Sequence, residues 1–133
     1  MQSIFSKIIS GQIPCYKIAE NDAFMAFLDM FPLKLGHTLI VPKKQIDDLF
    51  DLDPQTYLGL MVYSKHIAKA IKKAIPCNRI GVSVIGLEVP HAHIHLVPIN
   101  SSNDINFQNA KIKLTHEEFE DVANRIKQCI DTE

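Results

Sequence analysis

The sequence predicts an α+β domain: a five-stranded antiparallel sheet with a short N-terminal helix, one long central helix and a C-terminal helix. Three observations carry that prediction. Five short runs have strand character. The helical runs are not interleaved one per strand, which favours an antiparallel sheet over a doubly wound parallel one. The chain has 133 residues, 47% of them apolar, enough for one core and too few for two independent units, so residues 1–133 read as a single domain.

The elements follow in order. Residues 3–10 place Ile4, Phe5, Ile8 and Ile9 on one helical stripe, and Gly11 followed by Pro14 stops it. Two strand-like runs, CYKIAE and AFMAFLD, then flank the turn dipeptide Asn21-Asp22, predicting a hairpin over residues 15–29. Pro32 to Gly36 is a loop, and HTLIVP is a β-branched, apolar third strand ending at Pro42. Asp53-Pro54 has the form of an N-cap followed by proline at the first helical position. From there Tyr57, Leu60, Met61, Ser64, Ile67, Ala68, Ile71 and Ile75 recur at spacings of three and four until Pro76. Lys65, Lys69, Lys72 and Lys73 fall largely elsewhere and read as a solvated face. Residues 79–86, RIGVSVIG, and 91–98, HAHIHLVP, are the fourth and fifth strands. After a polar stretch from Asn100 to Gln108, Thr115 and Glu118 form a capping box ahead of Phe119, Val122, Ala123, Ile126 and Ile130. A C-terminal helix over about residues 115–131 is expected. No internal repeat or low-complexity segment interrupts the order.

Composition narrows the function classes. Fourteen Lys and Arg against 15 Asp and Glu give a net charge of -1, so no overall positive field holds a nucleic acid, and a small anionic ligand needs a local site. Cys15, Cys77 and Cys129 are far apart, with no CxxC spacing, and read as reduced thiols of a cytoplasmic protein. Lys7, Ser10, Gln12 and Pro14 break the N-terminal run, so no secretory signal is read there. No stretch of about 18 apolar residues suggests a membrane span.

Half of the six histidines lie in His91-Ala92-His93-Ile94-His95. Strand periodicity sets the three imidazoles on one face and sends Ala92, Ile94 and Leu96 to the other, where they can enter the core. Same-face neighbours along a strand are roughly 6.5–7 Å apart, close enough to bracket a phosphate-sized group or to converge on a metal. Metal ligation would recruit a further group, for which Glu88 or His37 could serve. Nucleophilic use would need a neutral imidazole held in one tautomer. A structural row is the third reading. The pattern itself leaves all three open.

HAHIHLV fits the signature His-φ-His-φ-His-φ-φ, with φ apolar, and resembles the histidine-triad family of nucleotide-binding proteins. IFSKIISGQIPCYKIAENDAFMAFLD is similar to that family's N-terminal helix and first hairpin, and PLKLGHTLIVPKK to its next strand, so the resemblance covers about residues 3–98. It implies the HIT-like fold and a role for each matching position. His93 would be the nucleophile that becomes transiently nucleotidylated, and His95 would contact phosphate oxygens. His91 would help position and polarise the group, supported by His37. Histidines titrating near neutrality would serve protonation of the leaving group and activation of water. Base and ribose would lie beside Ile4, Phe5, Ile8, Phe27, Asp29 and Met30. Asp29 has two readings, acceptor for the ribose hydroxyls or turn cap before Phe31-Pro32.

The chain also departs from the family pattern. Many relatives carry a longer loop ending in Gly-Gln-Ser or Gly-Gln-Thr, which contacts the phosphate and leaving group. Here Gly86-Leu87-Glu88-Val89-Pro90 stands there, Glu88 is a carboxylate beside an expected anion, and Ser83 is the one candidate for an upstream phosphate-binding asparagine. Some bacterial relatives hold zinc with CxxC, a later histidine and the first triad histidine, whereas this chain has Ser3, Ser6 and Gln45. No metal and no cofactor are therefore expected. The resulting expectation is a homodimeric hydrolase or transferase acting at the α-phosphorus of a purine nucleotide conjugate, of the phosphoramidase branch. Its alternatives are a dinucleoside polyphosphate hydrolase, a catalytically weak nucleotide-binding module and a metal-dependent enzyme.

Overall fold

A computed structural model of the chain describes residues 1–130. Helix α1, Ile4–Ile9, precedes the hairpin β1, Lys17–Glu20, and β2, Phe24–Leu28. Strand β3 is Thr38–Pro42, helix α2 Pro54–Ala74, β4 Arg79–Ser83, β5 Ile94–Ile99 and α3 His116–Gln128. The elements start where short-range chemistry puts them. Asn21 Oδ1 accepts from Ala23 and Phe24 N–H in the hairpin turn. Asp53 accepts from Thr56 N–H ahead of Pro54, and Thr115 and Glu118 cap each other at α3. Residue 131, the far end of the expected C-terminal helix, lies outside the described residues.

The strands form one sheet in the order β1-β2-β3-β5-β4, antiparallel at every pairing. Every strand is shorter than its sequence pattern, β4 and β5 by the most at the end that carries the histidines. Strand β4 stops at Ser83, and β5 starts at Ile94, not His91. For β5 the reason is competition for backbone partners: His91 N–H bonds to Val89 O and Ala92 N–H to Ile46 O, so these residues pair outside the ladder. The polar stretch after β5 is not simple loop either. It holds a 3-10 turn, Ser102–Ile105, and a second such turn, Leu49–Asp51, precedes α2.

The sheet has a hydrophobic cluster on each face. Ala26, Leu28, Ile40, Ile94 and Leu96 meet Leu60, Ile67 and Ile71 of α2 and Phe119, Val122 and Ile126 of α3 in the larger one. Met25, Phe27, Leu39 and Val41 meet Phe5 and Ile8 of α1 in the smaller. Each fully buried Leu, Ile or Phe contributes about 1.5–3 kcal/mol, so α1, six residues long, is held by its apolar contacts rather than by its own helicity. Among the described residues, no helix is long and apolar enough to cross a membrane.

Candidate active site

The register decides what shares a face. His95 lies opposite Leu39 of β3 and Ser83 of β4, on the side of the smaller cluster, while Ala92, Ile94 and Leu96 enter the larger one. His91 and His93 keep that alternation although they precede the ladder. His91, His93 and His95 are buried, as is His37, which immediately precedes β3. Gly36, at φ +90, makes the turn that delivers His37, and Ile75 and Pro98 crowd the space a Cβ would need.

Fixed partners settle which nitrogen carries each hydrogen. Leu33 N–H donates to His37 Nδ1 at 2.9 Å, so neutral His37 carries its hydrogen on Nε2. That Nε2–H stands 3.0 Å from His95 Nδ1, which must accept, leaving the His95 hydrogen on Nε2. His91 Nε2–H donates to Pro42 O at 2.7 Å, and its Nδ1 accepts from the Ser3 hydroxyl at 2.7 Å. His93 Nδ1–H donates to His91 O at 2.7 Å, so His93 Nε2 keeps its lone pair. Neither His93 Nε2 nor His95 Nε2 has a partner among the described residues. Neither nitrogen is among the fully buried unpartnered polar atoms of the described residues, Tyr63 Oη and Ser64 Oγ, and the two histidines are 7% and 8% exposed. The rings lie 5.0 Å apart. One presents an acceptor and the other a donor.

Burial also sets the charge state. Desolvation, with the nearby Lys111 charge, pushes His37 down to about 4. Desolvation, with the charges of His37, His93 and Lys111, pushes His95 down to about 3. His91 is lowered as well, by burial, against the opposing bond to Pro42 O. The expectation that these histidines titrate near neutrality needs correcting for these three: they remain neutral and act as oriented donors and acceptors.

Sequence and shape comparisons agree on where such a row belongs. The HIT domain family matches residues 10–102. The chain belongs to the HIT family. An uncharacterized HIT-like protein of Borreliella burgdorferi is 32% identical, the match covering 96% of this chain and 97% of that protein. An adenosine 5'-monophosphoramidase of Schizosaccharomyces pombe is 32% identical over 74% of each chain. The crystal structure of a Hit-like protein involved in cell-cycle regulation from Bartonella henselae superposes with a TM-score of 0.85 at 32% identity, covering 97% and 96% of the two chains.

Within this HIT domain the residues expected on the nucleoside side divide. Phe5, Ile8 and Phe27 are buried in the smaller cluster, and the Phe5 ring lies 4.9 Å from His93 and 5.7 Å from Phe27. They form a floor. Ile4 and Met30 are exposed, and Met30 lines a separate groove beside Tyr16 and α3. Asp29 Oδ1 accepts from Phe31 N–H at 2.8 Å, the turn-cap reading, while Oδ2 stands 3.5 Å from His37 Nε2. Burial pushes the Asp29 carboxyl up, and the charge of exposed Glu88 adds to this. Ser3 N–H and the Ser6 hydroxyl both donate to Gln45 Oε1, at 2.8 and 2.6 Å, beside the Ser3 contact to His91. The positions compared with zinc ligands thus form a hydrogen-bonded cluster.

Asp29, His37 and His95 offer ligand atoms within 4.8 Å of one another. Their bonding opposes an ion there. A metal on His37 Nε2 would move its hydrogen to Nδ1, directly against Leu33 N–H.

A cavity of about 350 Å³ opens beside His93, lined also by Asp47, Asp48, Phe50, Ile85 and Leu87, and by none of the nucleoside-side residues. A larger groove of about 460 Å³ runs between Tyr16 and α3, away from the histidine row. The structure adds two residues to the row that sequence reasoning missed. The Phe107 ring lies 4.7 Å from His95 and 5.9 Å from His37, and Lys111 Nζ lies 5.9 Å from the Phe107 centroid. They sit beyond the motif in a stretch without periodicity, and nothing in the sequence marks them.

Proposed function

We propose that the protein is a nucleotide hydrolase that cleaves a purine nucleotide conjugate at its α-phosphorus, with a nucleoside phosphoramidate as the preferred class. The observation that carries this reading is the adjacent pair of unpartnered nitrogens, His93 Nε2 with a lone pair and His95 Nε2 with a hydrogen. In the first step His93 Nε2 attacks phosphorus, the P–N bond breaks, and the departing nitrogen takes a proton from solvent. In the second, water attacks the phosphorus of nucleotidyl-His93, releasing the nucleoside monophosphate and returning the neutral imidazole. His95 Nε2–H donates to a phosphoryl oxygen throughout, and the bond to His91 O steadies the charge that develops on His93. The balance is conjugate plus water to nucleoside monophosphate plus amine.

Asp47 and Asp48 favour an amine over a polyphosphate leaving group. They line the cavity beside His93 together with Phe50, Ile85 and Leu87, surroundings that suit a cationic amine with an apolar body and repel a second phosphate chain. The similarity to a monophosphoramidase supports the same order. Intact-protein mass spectrometry after brief incubation with adenosine phosphoramidate tests the mechanism. A nucleotidyl adduct in wild type or His95→Ala, absent in His93→Ala, is expected. Tight nucleotide binding with no adduct and no turnover would leave a binding module instead. Faster turnover of diadenosine polyphosphates than of the phosphoramidate would reverse the substrate order.

We also infer a homodimer in the cytoplasm. Strand β4 is an open edge of the sheet, and exposed Val82 on it and Val84 just beyond it, with Leu58, Met61 and Val62 on α2, give an apolar surface for a second copy. Light scattering at micromolar concentration should report twice the chain mass. The three cysteines are free thiols, which suits a reducing compartment.

A further inference from the structure

The segment after β5 is tied to the loop that delivers His37. Ile112 N–H donates to Pro32 O at 2.9 Å, and Lys34 pairs with Asp104 at 3.2 Å. This clamp sets Phe107 against His95 and His37. It also places the Lys111 ammonium at their rim, where Phe107 O at 2.6 Å and Asn109 O at 3.2 Å hold it. An ammonium has three hydrogens. Two are spent on these carbonyls, and no carboxylate among the described residues pairs with the group. The third hydrogen is therefore open to a ligand. Lys111 is an exposed residue, so substrate can reach it.

Charge accounting points the same way. A nucleotide brings at least one negative charge into a site whose nearby acidic groups are Asp29, Glu88, Asp47 and Asp48. Neutral imidazoles at His37, His91 and His95 do not offset it. Lys111 is the lysine whose charge reaches Asp29, His37 and His95 together.

We propose that Lys111, held by the carbonyls of Phe107 and Asn109 at the edge of the histidine row, binds the phosphate oxygens of the substrate directly, so that the segment beyond the histidine motif completes the active site. The inference rests on the nucleotide reading above. It adds a substrate-binding cation and makes the clamp between residues 104–112 and residues 32–34 a part of the catalytic apparatus. The expected role is in ground-state binding of the phosphate as well as in the transition state, because the ammonium is in place before reaction.

Calorimetric titration of the full chain with AMP and with adenosine separates the outcomes. One charge-assisted bond at a partly exposed site corresponds to about a tenfold weakening of AMP in Lys111→Met. Adenosine, which has no phosphate, should bind both proteins equally, Lys111→Arg should keep most of the AMP affinity, and the salt dependence of AMP binding should flatten in Lys111→Met. AMP affinity unchanged in Lys111→Met, or AMP and adenosine weakened alike, overturns the proposal while leaving the nucleotide reading intact. Wild type that binds neither compound overturns both. Lys111→Gln serves as a second neutral variant, and thermal unfolding of each variant should match wild type within about 2 °C.

Discussion

Acidification should destabilise this protein in a window set by two buried histidines. In the folded chain His37 titrates at about 4 and His95 at about 3, against an ordinary value of 6.5. These are folded values depressed below the unfolded one. Below 6.5 the unfolded chain therefore binds protons that the folded chain refuses, and stability falls until the folded values are reached. Between about pH 7.5 and about pH 5 the linkage relation gives a loss of about 2 kcal/mol for each residue, about 4 kcal/mol for the two. His91 acts in the same sense. Asp29, whose carboxyl is raised by burial, acts in the opposite sense. Urea unfolding at the two pH values, at constant ionic strength, measures the loss. An imidazole NMR titration assigns it, with the His37 and His95 resonances expected to stay unmoved down to about pH 5. A loss below about 1 kcal/mol, or either histidine titrating near its ordinary value, would refute the neutral relay from Leu33 through His37 to His95.

Two further perturbations test the framework around the row. Ser3→Ala removes both the donor to His91 Nδ1 and the N-cap that accepts from Ser6 N–H. It should cost about 2–3 kcal/mol in urea unfolding, with Ser3→Thr restoring most of it, and a loss within error of zero would show that the His91 tautomer does not depend on Ser3. Gly36→Ala forces an alanine to φ +90 with its Cβ 3.0 Å from Ile75 Cγ1 and 3.3 Å from Pro98 Cγ. A loss of about 2–4 kcal/mol by thermal unfolding follows, and an unchanged midpoint would mean that the turn before His37 relaxes freely.

Much of the fold was legible because its signals are local. Asp53-Pro54, the Thr115 and Glu118 box and the Asn21 turn act across three residues or fewer, and they mark element ends in the structure as they do in the sequence. The strand ends read less well. Pro42 and the hairpin turn were visible, but the start of β5 depends on Ala92 N–H finding Ile46 O, 46 positions away, a competition that no window of sequence contains. The 3-10 turn at Ser102–Ile105 was likewise read only as polar chain.

For the site, the sequence by itself determined that three imidazoles share one face while Ala92, Ile94 and Leu96 face the core, because side chains alternate along extended backbone whatever surrounds it. It did not determine what those imidazoles are. Their tautomers and charge come from partners far along the chain: His91 is held by Pro42 and Ser3, 49 and 88 residues away, and His95 by His37, 58 residues away. Desolvation holds His37, His91 and His95 neutral, and Phe107 and Lys111 reach the row only when the segment after β5 folds back over it. Periodicity is a property of the backbone, whereas hydrogen-bond direction, dielectric environment and the nearness of a charge are properties of the assembled tertiary structure.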